Sequence, residues 1–265
     1  MTERISGTTR LYTVLGDPVA QVRSPAMMNP LFARLGIDAV LVPVHVTPDH
    51  LASVVGGLRR VGNVDGIFVT VPHKVAVVGL ADRCSPMVAI TGSANALRRE
   101  ADGSWYAENF DGSGFVTGLV GAGHDPKGSR VALVGAGGAG SAIAAALLAA
   151  GADRLSVCDP DTAKLGGLRA RLDARWPGRT AVSTAPRLAG ADIVVNATPL
   201  GLKPDDPLPL RPELLPAGSV VADIIMAPKE TRLLREASAL GHHVHYGLHM
   251  LDGQLDSYRA FFGLD

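Results

Sequence analysis

The chain has only two cysteines, Cys84 and Cys158, far apart and outside any motif, so it offers neither a disulfide framework nor a cysteine-based metal site. It has no charge excess either: 25 Lys plus Arg balance 25 Asp plus Glu, which removes the basic field that holds nucleic acid or anionic lipid. The first ten residues lack the apolar stretch of a secretory signal, and no repeat or low-complexity tract occurs. One uncharged run, residues 131–152, has the length of a membrane span. Its first half reads as strand and glycine loop and its second half is mostly alanine, which excludes the span. These absences favour small-molecule partners, no nucleic acid, no membrane and a reducing cytoplasm.

The 265 residues suffice for two domains. Short β-branched runs at 11–16, 40–46 and 66–71 alternate with helical patterns at 25–35 and 50–60, the signature of an α/β unit. Ser24-Pro25 announces the first helix as a cap followed by a residue tolerated in the first turn, and Met27, Met28, Leu31, Phe32 and Leu35 recur at helical spacing as core. Further on, helices are expected over 162–174, 230–240 and 250–262, and strands over 193–196 and 220–224. The segment 203–209, with three prolines, cannot be regular structure and is expected to be an exposed loop, with the makings of a lid.

The most informative stretch is Val131-Ala-Leu-Val-Gly135-Ala-Gly137-Gly138-Ala-Gly140, a strand turning through spaced glycines into an alanine-rich helix. Gly135 permits the tight turn, Gly137 lets backbone amides reach a pyrophosphate, and Gly140 lets helix and strand pack closely. The unpaired N–H groups at the helix start then face phosphates. A second apolar strand ends in Asp159, placed to hold ribose hydroxyls. Such fingerprints sit on the first strand of their own fold, so a separate substrate domain should precede it. The expected division is a substrate domain over residues 1–111, completed by a C-terminal helix over 248–265, and a Rossmann-type doubly wound parallel sheet over 112–247.

Reactive groups should therefore come from the first half. Lys74 follows the strand at 66–70 through Val71-Pro72-His73, while Asn95 and Asp111 stand near the ends of the next segments. A lysine, an asparagine and an aspartate converging there would suit ketone reduction or alcohol oxidation, with a carboxylate orienting the proton donor.

In these residues the chain resembles the shikimate and quinate dehydrogenase family along almost its full length. The resemblance is carried in order by Gly16-Asp-Pro18, Arg23-Ser24-Pro25 with Asn29, Val69-Thr70-Val-Pro72-His-Lys74, Gly92-Ser-Ala-Asn95 and Asn109-Phe-Asp111-Gly112. It continues through Gly135 to Gly140, Asn196-Ala-Thr198-Pro199, Ala222-Asp223, Pro228 with Thr231, and Gly247-Leu-His-Met250 with Gln254. The resemblance implies Lys74 as catalytic acid/base with Asp111 as its partner, and Asn95 and Gln254 as donors to substrate hydroxyls, with Ser24 and Thr70 lining the same pocket. It also implies Asn196, Thr198 and Pro199 beside the cofactor and Met250 near the nicotinamide. The implied reaction is reversible, metal-free hydride transfer between a ring alcohol and a nicotinamide, as in aromatic amino acid biosynthesis, by a monomer or homodimer.

The departures share a direction. Val22 stands where the family has a hydroxyl expected to bind a carboxylate, Phe68 where it has asparagine, Ala96 and Phe110 where it has threonine, and Met226 where tyrosine is common. Either the pocket has lost hydrogen-bond partners, or Phe68 and Phe110 face the core. Arg23 could replace the lost hydroxyl by clamping a carboxylate through two donors. At the end of the second strand, Cys158-Asp159-Pro160-Asp161 replaces the cationic NADP signature; two carboxylates would repel a 2′-phosphate, so NAD is expected, with NADP possible. Asp161 also suits a helix cap. His242, His243, His245 and His249 lack a completing ligand at metal-site spacing, and no metal is expected. Two competing functions remain: a nucleotide-binding regulatory protein with a drifted pocket, and a dehydrogenase for a different small cyclic substrate.

Overall fold

A computed structural model describes residues 5–264. The chain forms two compact α/β units: one runs through Phe110 and resumes at Leu255, and the other is Asp111–Gln254.

In the first unit, β1 (Arg10–Gly16) is followed by α1 (Ser24–Leu35), β2 (Ala39–His45), α2 (Leu51–Leu58) and β3 (Val64–Val69). Then come β4 (Arg83–Cys84), α3 (Pro86–Thr91), β5 (Ala96–Arg99) and β6 (Trp105–Glu108). The sheet order is β2-β1-β3-β5-β6-β4. β1 pairs in parallel with β2 and β3, whereas β5 lies antiparallel between β3 and β6. Ser24 is not the cap expected of it. It is the first helical residue of α1, and Arg23 occupies the cap position without a side-chain bond, because Pro25 already removes one of the donors a cap would satisfy. Asn29 instead ties α1 to the sheet, its amide accepting from Leu41 N–H at 2.7 Å and donating to Leu41 C=O at 3.0 Å.

The second unit opens with α4 (Asp111–Gly121), then alternates β7 (Arg130–Val134), α5 (Gly138–Ala149), β8 (Arg154–Cys158), α6 (Thr162–Arg175) and β9 (Thr180–Ser183). It ends with β10 (Ile193–Asn196), β11 (Val220–Asp223), α7 (Arg232–Ala239), β12 (His243–His245) and α8 (Leu248–Asp252). Its sheet is wholly parallel in the order β12-β11-β10-β7-β8-β9, the doubly wound Rossmann arrangement whose strand order reverses between β7 and β10. Near-continuous apolar strands such as Ile193-Val-Val suit a sheet covered on both faces.

The single helix expected over 250–262 is two, α8 and then α9 (Leu255–Phe262), which returns to the first unit. A Cβ at Gly253 would lie 2.5 Å from the Gly114 carbonyl oxygen, so the break falls where backbone passes backbone. α9 brings Tyr258, Phe261 and Phe262 to a core containing Tyr12, Phe32 and Phe68. Helix α7 begins two residues later than the pattern suggested, since Thr231 caps it by accepting Leu234 N–H. The segment 203–209 is irregular, and with α7 it borders a cavity of about 320 Å³ lined by Lys203, Asp206, Pro228 and Arg232 among others.

Candidate active site

Ligands in doubly wound sheets sit at the carboxyl ends of strands where the order reverses. In the second unit those ends are the turn after β7 and the loop after β10. Gly135 has φ +106°, a region open mainly to glycine, and a Cβ on it would meet the Ala197 carbonyl at 2.8 Å. A Cβ on Gly140 would overlap the Gly135 carbonyl oxygen. Both residues therefore need to be glycine for packing. Gly137 differs: a Cβ there would enter open space, and as the cap residue of α5, just ahead of Gly138, it has no side chain to cover the helix start. A helix start behind a glycine cap, with no acid in its first turn, has the donors and the polarity to hold a pyrophosphate, so the residues fit a dinucleotide.

Asp159 is fixed by this turn. One carboxylate oxygen accepts Ala136 N–H at 2.8 Å and the other accepts Asp161 N–H at 2.9 Å. A carboxylate offers roughly four lone-pair directions, so two remain for a ligand. Asp161 caps α6 by accepting Ala163 and Lys164 N–H groups. Cys158, a free buried thiol, is pushed up from its ordinary pKa by burial and then by the Asp159 charge, which suits packing rather than reactivity.

The loop after β10 is shaped from within. Asn196 is wholly buried; its amide oxygen accepts Thr198 N–H at 3.0 Å and the Thr198 hydroxyl at 2.7 Å, while its amide nitrogen donates to Leu200 C=O and to Asp223, both at 3.1 Å. Pro199 is exposed at the loop's tip. Asp223 and Thr231 complete this network, and sequence reasoning gave neither a role. The available signal was a carboxyl ending an otherwise apolar strand, Val220-Val-Ala-Asp223.

Asp111 opens α4, buried, and Gln254 donates to it over a long 3.4 Å. Met250, also buried, lies on α8 in the same unit. α4 can pack this closely because Gly114 is bare: a Cβ there would come within 2.5 Å of the Met250 carbonyl oxygen. In the first unit, Lys74 is half-buried in the turn after β3. That turn is pinned by the buried His73 ring, bonded to Val46 C=O at 2.6 Å, and by the Lys74 carbonyl, which accepts Ala94 N–H at 2.8 Å. Thr70 begins the turn and packs on Gly16, where a Cβ would meet its methyl at 2.5 Å. Asn95 is buried and accepts Phe110 N–H at 3.0 Å, fixing the chain just ahead of Asp111. Ser24 is half-buried and Arg23 exposed at the head of α1.

Phe68 and Phe110 face the core. Phe68 is 3% exposed, its ring 4.7 Å from that of Tyr258, and Phe110 packs edge-on against Tyr258 and Phe261 at 5.1 and 5.3 Å. Of the four clustered histidines, His245 is buried between Phe115 (5.9 Å) and His249 (4.8 Å), with neither ring nitrogen hydrogen-bonded. Among the described residues, no three His, Cys, Asp or Glu side chains are arranged to hold a metal, and no helix is long and apolar enough to cross a membrane.

A Rossmann sheet with this glycine turn, joined to a second α/β unit that presents a lysine at a strand end, is the layout of a nicotinamide-dinucleotide oxidoreductase acting on CH–OH. The family model for the shikimate dehydrogenase substrate binding domain matches residues 14–97. A shikimate dehydrogenase (NADP(+)) of Rubrobacter xylanophilus is 44% identical over 99% of this chain and 94% of its own length. Shikimate 5-dehydrogenase of Listeria monocytogenes, solved with shikimate and NAD, superposes with TM-score 0.84 at 29% identity, covering 100% of this chain and 94% of its own. The ligand-free 5-ketofructose reductase of Gluconobacter sp. strain CHM43 superposes with TM-score 0.82 at 30% identity, covering 97% and 94%. The chain belongs to the shikimate dehydrogenase family, oxidoreductases that use NAD or NADP to interconvert a ring alcohol and its ketone.

Proposed function

We propose that this chain reversibly oxidises one ring hydroxyl of shikimate or a closely related cyclic hydroxy acid such as quinate. The reading is carried by Lys74, Asn95, Asp111 and Gln254 standing in the family's order, with Asp111 and Gln254 buried and in contact. In this reading Lys74 exchanges the hydroxyl proton through its amine while Asp111 orients it, and Asn95 and Gln254 hold neighbouring hydroxyls. Ser24, Thr70 and Arg23 bind the rest of the substrate. The glycine turn with Gly135, Gly137, Gly138 and Gly140 takes the pyrophosphate, Asp159 the ribose, and Thr198, Pro199 and Met250 border the nicotinamide. When bound, that ring supplies the hydride exchange. The protein's contribution is alignment and exclusion of water.

The relatives' names favour NADP. The end of β8 in this chain supports NAD, since its two carboxylates, Asp159 and Asp161, would repel a 2′-phosphate, and NAD is our reading of the chain itself. Two free thiols, Cys84 and Cys158, support a cytoplasmic setting.

The experiment is an absorbance screen with NAD and NADP against shikimate, quinate, their amino analogues and simpler cyclohexane acids. Turnover of one ring acid with a higher kcat/KM for NAD is the expected result, and Lys74→Ala should lower kcat by about 10² to 10⁴. A clear NADP preference overturns the cofactor assignment, and an undiminished Lys74→Ala rate removes Lys74 from the chemistry. A second reading, a polyhydroxy ketone without a carboxylate, is favoured by Val22, which packs against the aromatic core where a carboxylate-binding hydroxyl was expected. 5-Ketofructose in the same screen tests it.

A further inference from the structure

Asp223 ends β11 with its side chain 1% exposed, and three donors reach it. One oxygen accepts the Asn196 amide at 3.1 Å and Ile225 N–H at 3.0 Å; the other accepts the Thr231 hydroxyl at 2.8 Å. An ionised carboxylate only accepts, so it dictates which end of the Asn196 amide faces it. The NH₂ must point at Asp223 and at Leu200 C=O, which leaves the amide oxygen for the two Thr198 donors. Having given its proton to Asn196, the Thr198 hydroxyl accepts Leu200 N–H at 3.2 Å. One buried charge thus sets the direction of the hydrogen bonds through the loop after β10.

We propose that Asp223, seconded by Thr231, is a positioning residue: its carboxylate locks the Asn196 amide in one orientation and so holds the 197–201 loop in the shape that receives the dinucleotide. The last clause rests on the dinucleotide reading above. Neither strand pairing nor the α7 cap requires a charge here, since β10 and β11 pair through their backbones and Thr231 alone caps the helix. A buried carboxylate is costly where a neutral group would serve, and fixing one direction of hydrogen bonding is what only the charge achieves.

Burial pushes the carboxyl up to about 6, against the three hydrogen bonds that pull it down. The titratable groups on the elements packed around it are His243 and His245 on β12 and Arg232, Arg235 and Glu236 on α7; none of them is among the groups acting on it. Below about pH 6 the acid form carries a donor and no longer forbids the reversed amide.

The test is Asp223→Asn with two readouts: amide-exchange protection of Thr198 and Leu200 without cofactor, and NADH and NADPH dissociation constants by fluorescence from pH 5 to 8. A hydrogen bond to a charged group is worth about 1.5–3 kcal/mol, so protection and affinity should each fall at least about tenfold at pH 8. The wild type should lose both as pH falls through about 6, and the variant should show no such step. A folded Asp223→Asn protein with wild-type protection and affinity overturns the proposal. Should that variant not fold, Thr231→Val must loosen the same two amides and Thr231→Ser must restore them; indistinguishable behaviour of Thr231→Val overturns it equally. If the wild type binds neither dinucleotide, the cofactor reading falls, while the exchange measurement still decides the positioning.

Discussion

Replacing His245 by phenylalanine should change how stability depends on pH. The imidazole is 2% exposed, and its pKa is lowered from 6.5 to about 4, first by burial and then by the neighbouring His249 and His124. Above pH 6.5 the ring is neutral both folded and unfolded and titrates in neither state. As pH falls below 6.5 the unfolded chain takes up a proton that the folded ring refuses, so stability drains away until about pH 4. With about 1.4 kcal/mol for each pH unit between the two values, the wild type should lose about 3 kcal/mol at this one site. Asp223 has the opposite sign. Its folded pKa is raised, so its contribution is present below about pH 4 and lost as pH rises through about 6, which masks the histidine in the wild-type curve. The difference between His245→Phe and wild type removes that masking. Thermal unfolding at pH 7.5, 6.5, 5.5 and 4.5 should show the variant gaining on the wild type as the solution is acidified, by about 6–12 °C in total. Phenylalanine also keeps the edge-on contact with Phe115 while removing two nitrogens that have no hydrogen bond. Parallel curves across that range would refute the assignment of a neutral buried imidazole.

Gly140→Ala should cost about 1–3 kcal/mol or more in urea unfolding and abolish dinucleotide binding in a titration, because the new methyl must displace the Gly135 carbonyl. Phe68→Asn, which restores the family's usual residue, should lower stability by about 3–5 kcal/mol in the same assay, since it leaves an amide among the rings of Tyr258 and Phe262. A neutral result would place residue 68 outside the core. Asp161→Ala should lower stability only slightly in the same assay, through loss of the α6 cap, and leave the glycine turn intact because Asp159 holds it.

The second unit was the more legible. Its strands are apolar runs bounded by glycine or acid, and the strand expected at 193–196 falls on β10 residue for residue. Gly135 and Gly140 could be assigned because only bare backbone satisfies a turn and a helix crossing at that spacing. The antiparallel half of the first sheet was not legible. β5 and β6 have four residues each, and Arg98 and Arg99 break any alternating pattern; their guanidinium groups lie over the Phe261 and Trp105 rings, a tertiary use that spacing does not announce. For the same reason Phe68 and Phe110 stayed ambiguous: their partner Tyr258 is almost 150 residues away or more. Asp223 was visible as a residue, but its role depends on the direction of a neighbouring amide, which only coordinates supply.

Because α9 belongs to the opening lobe, that lobe is not a contiguous stretch of polypeptide. During synthesis almost the whole Rossmann lobe is made while its predecessor still lacks Tyr258, Phe261 and Phe262, and with them the closing wall around Tyr12, Phe32 and Phe68. The nascent chain therefore carries an unfinished hydrophobic half while residues 111–254 are made, at the 5–20 residues per second of translation roughly 7 to 30 seconds. Trimming the final dozen residues is a lesion of the amino-terminal lobe, and a chaperone that shields apolar surface has its target there.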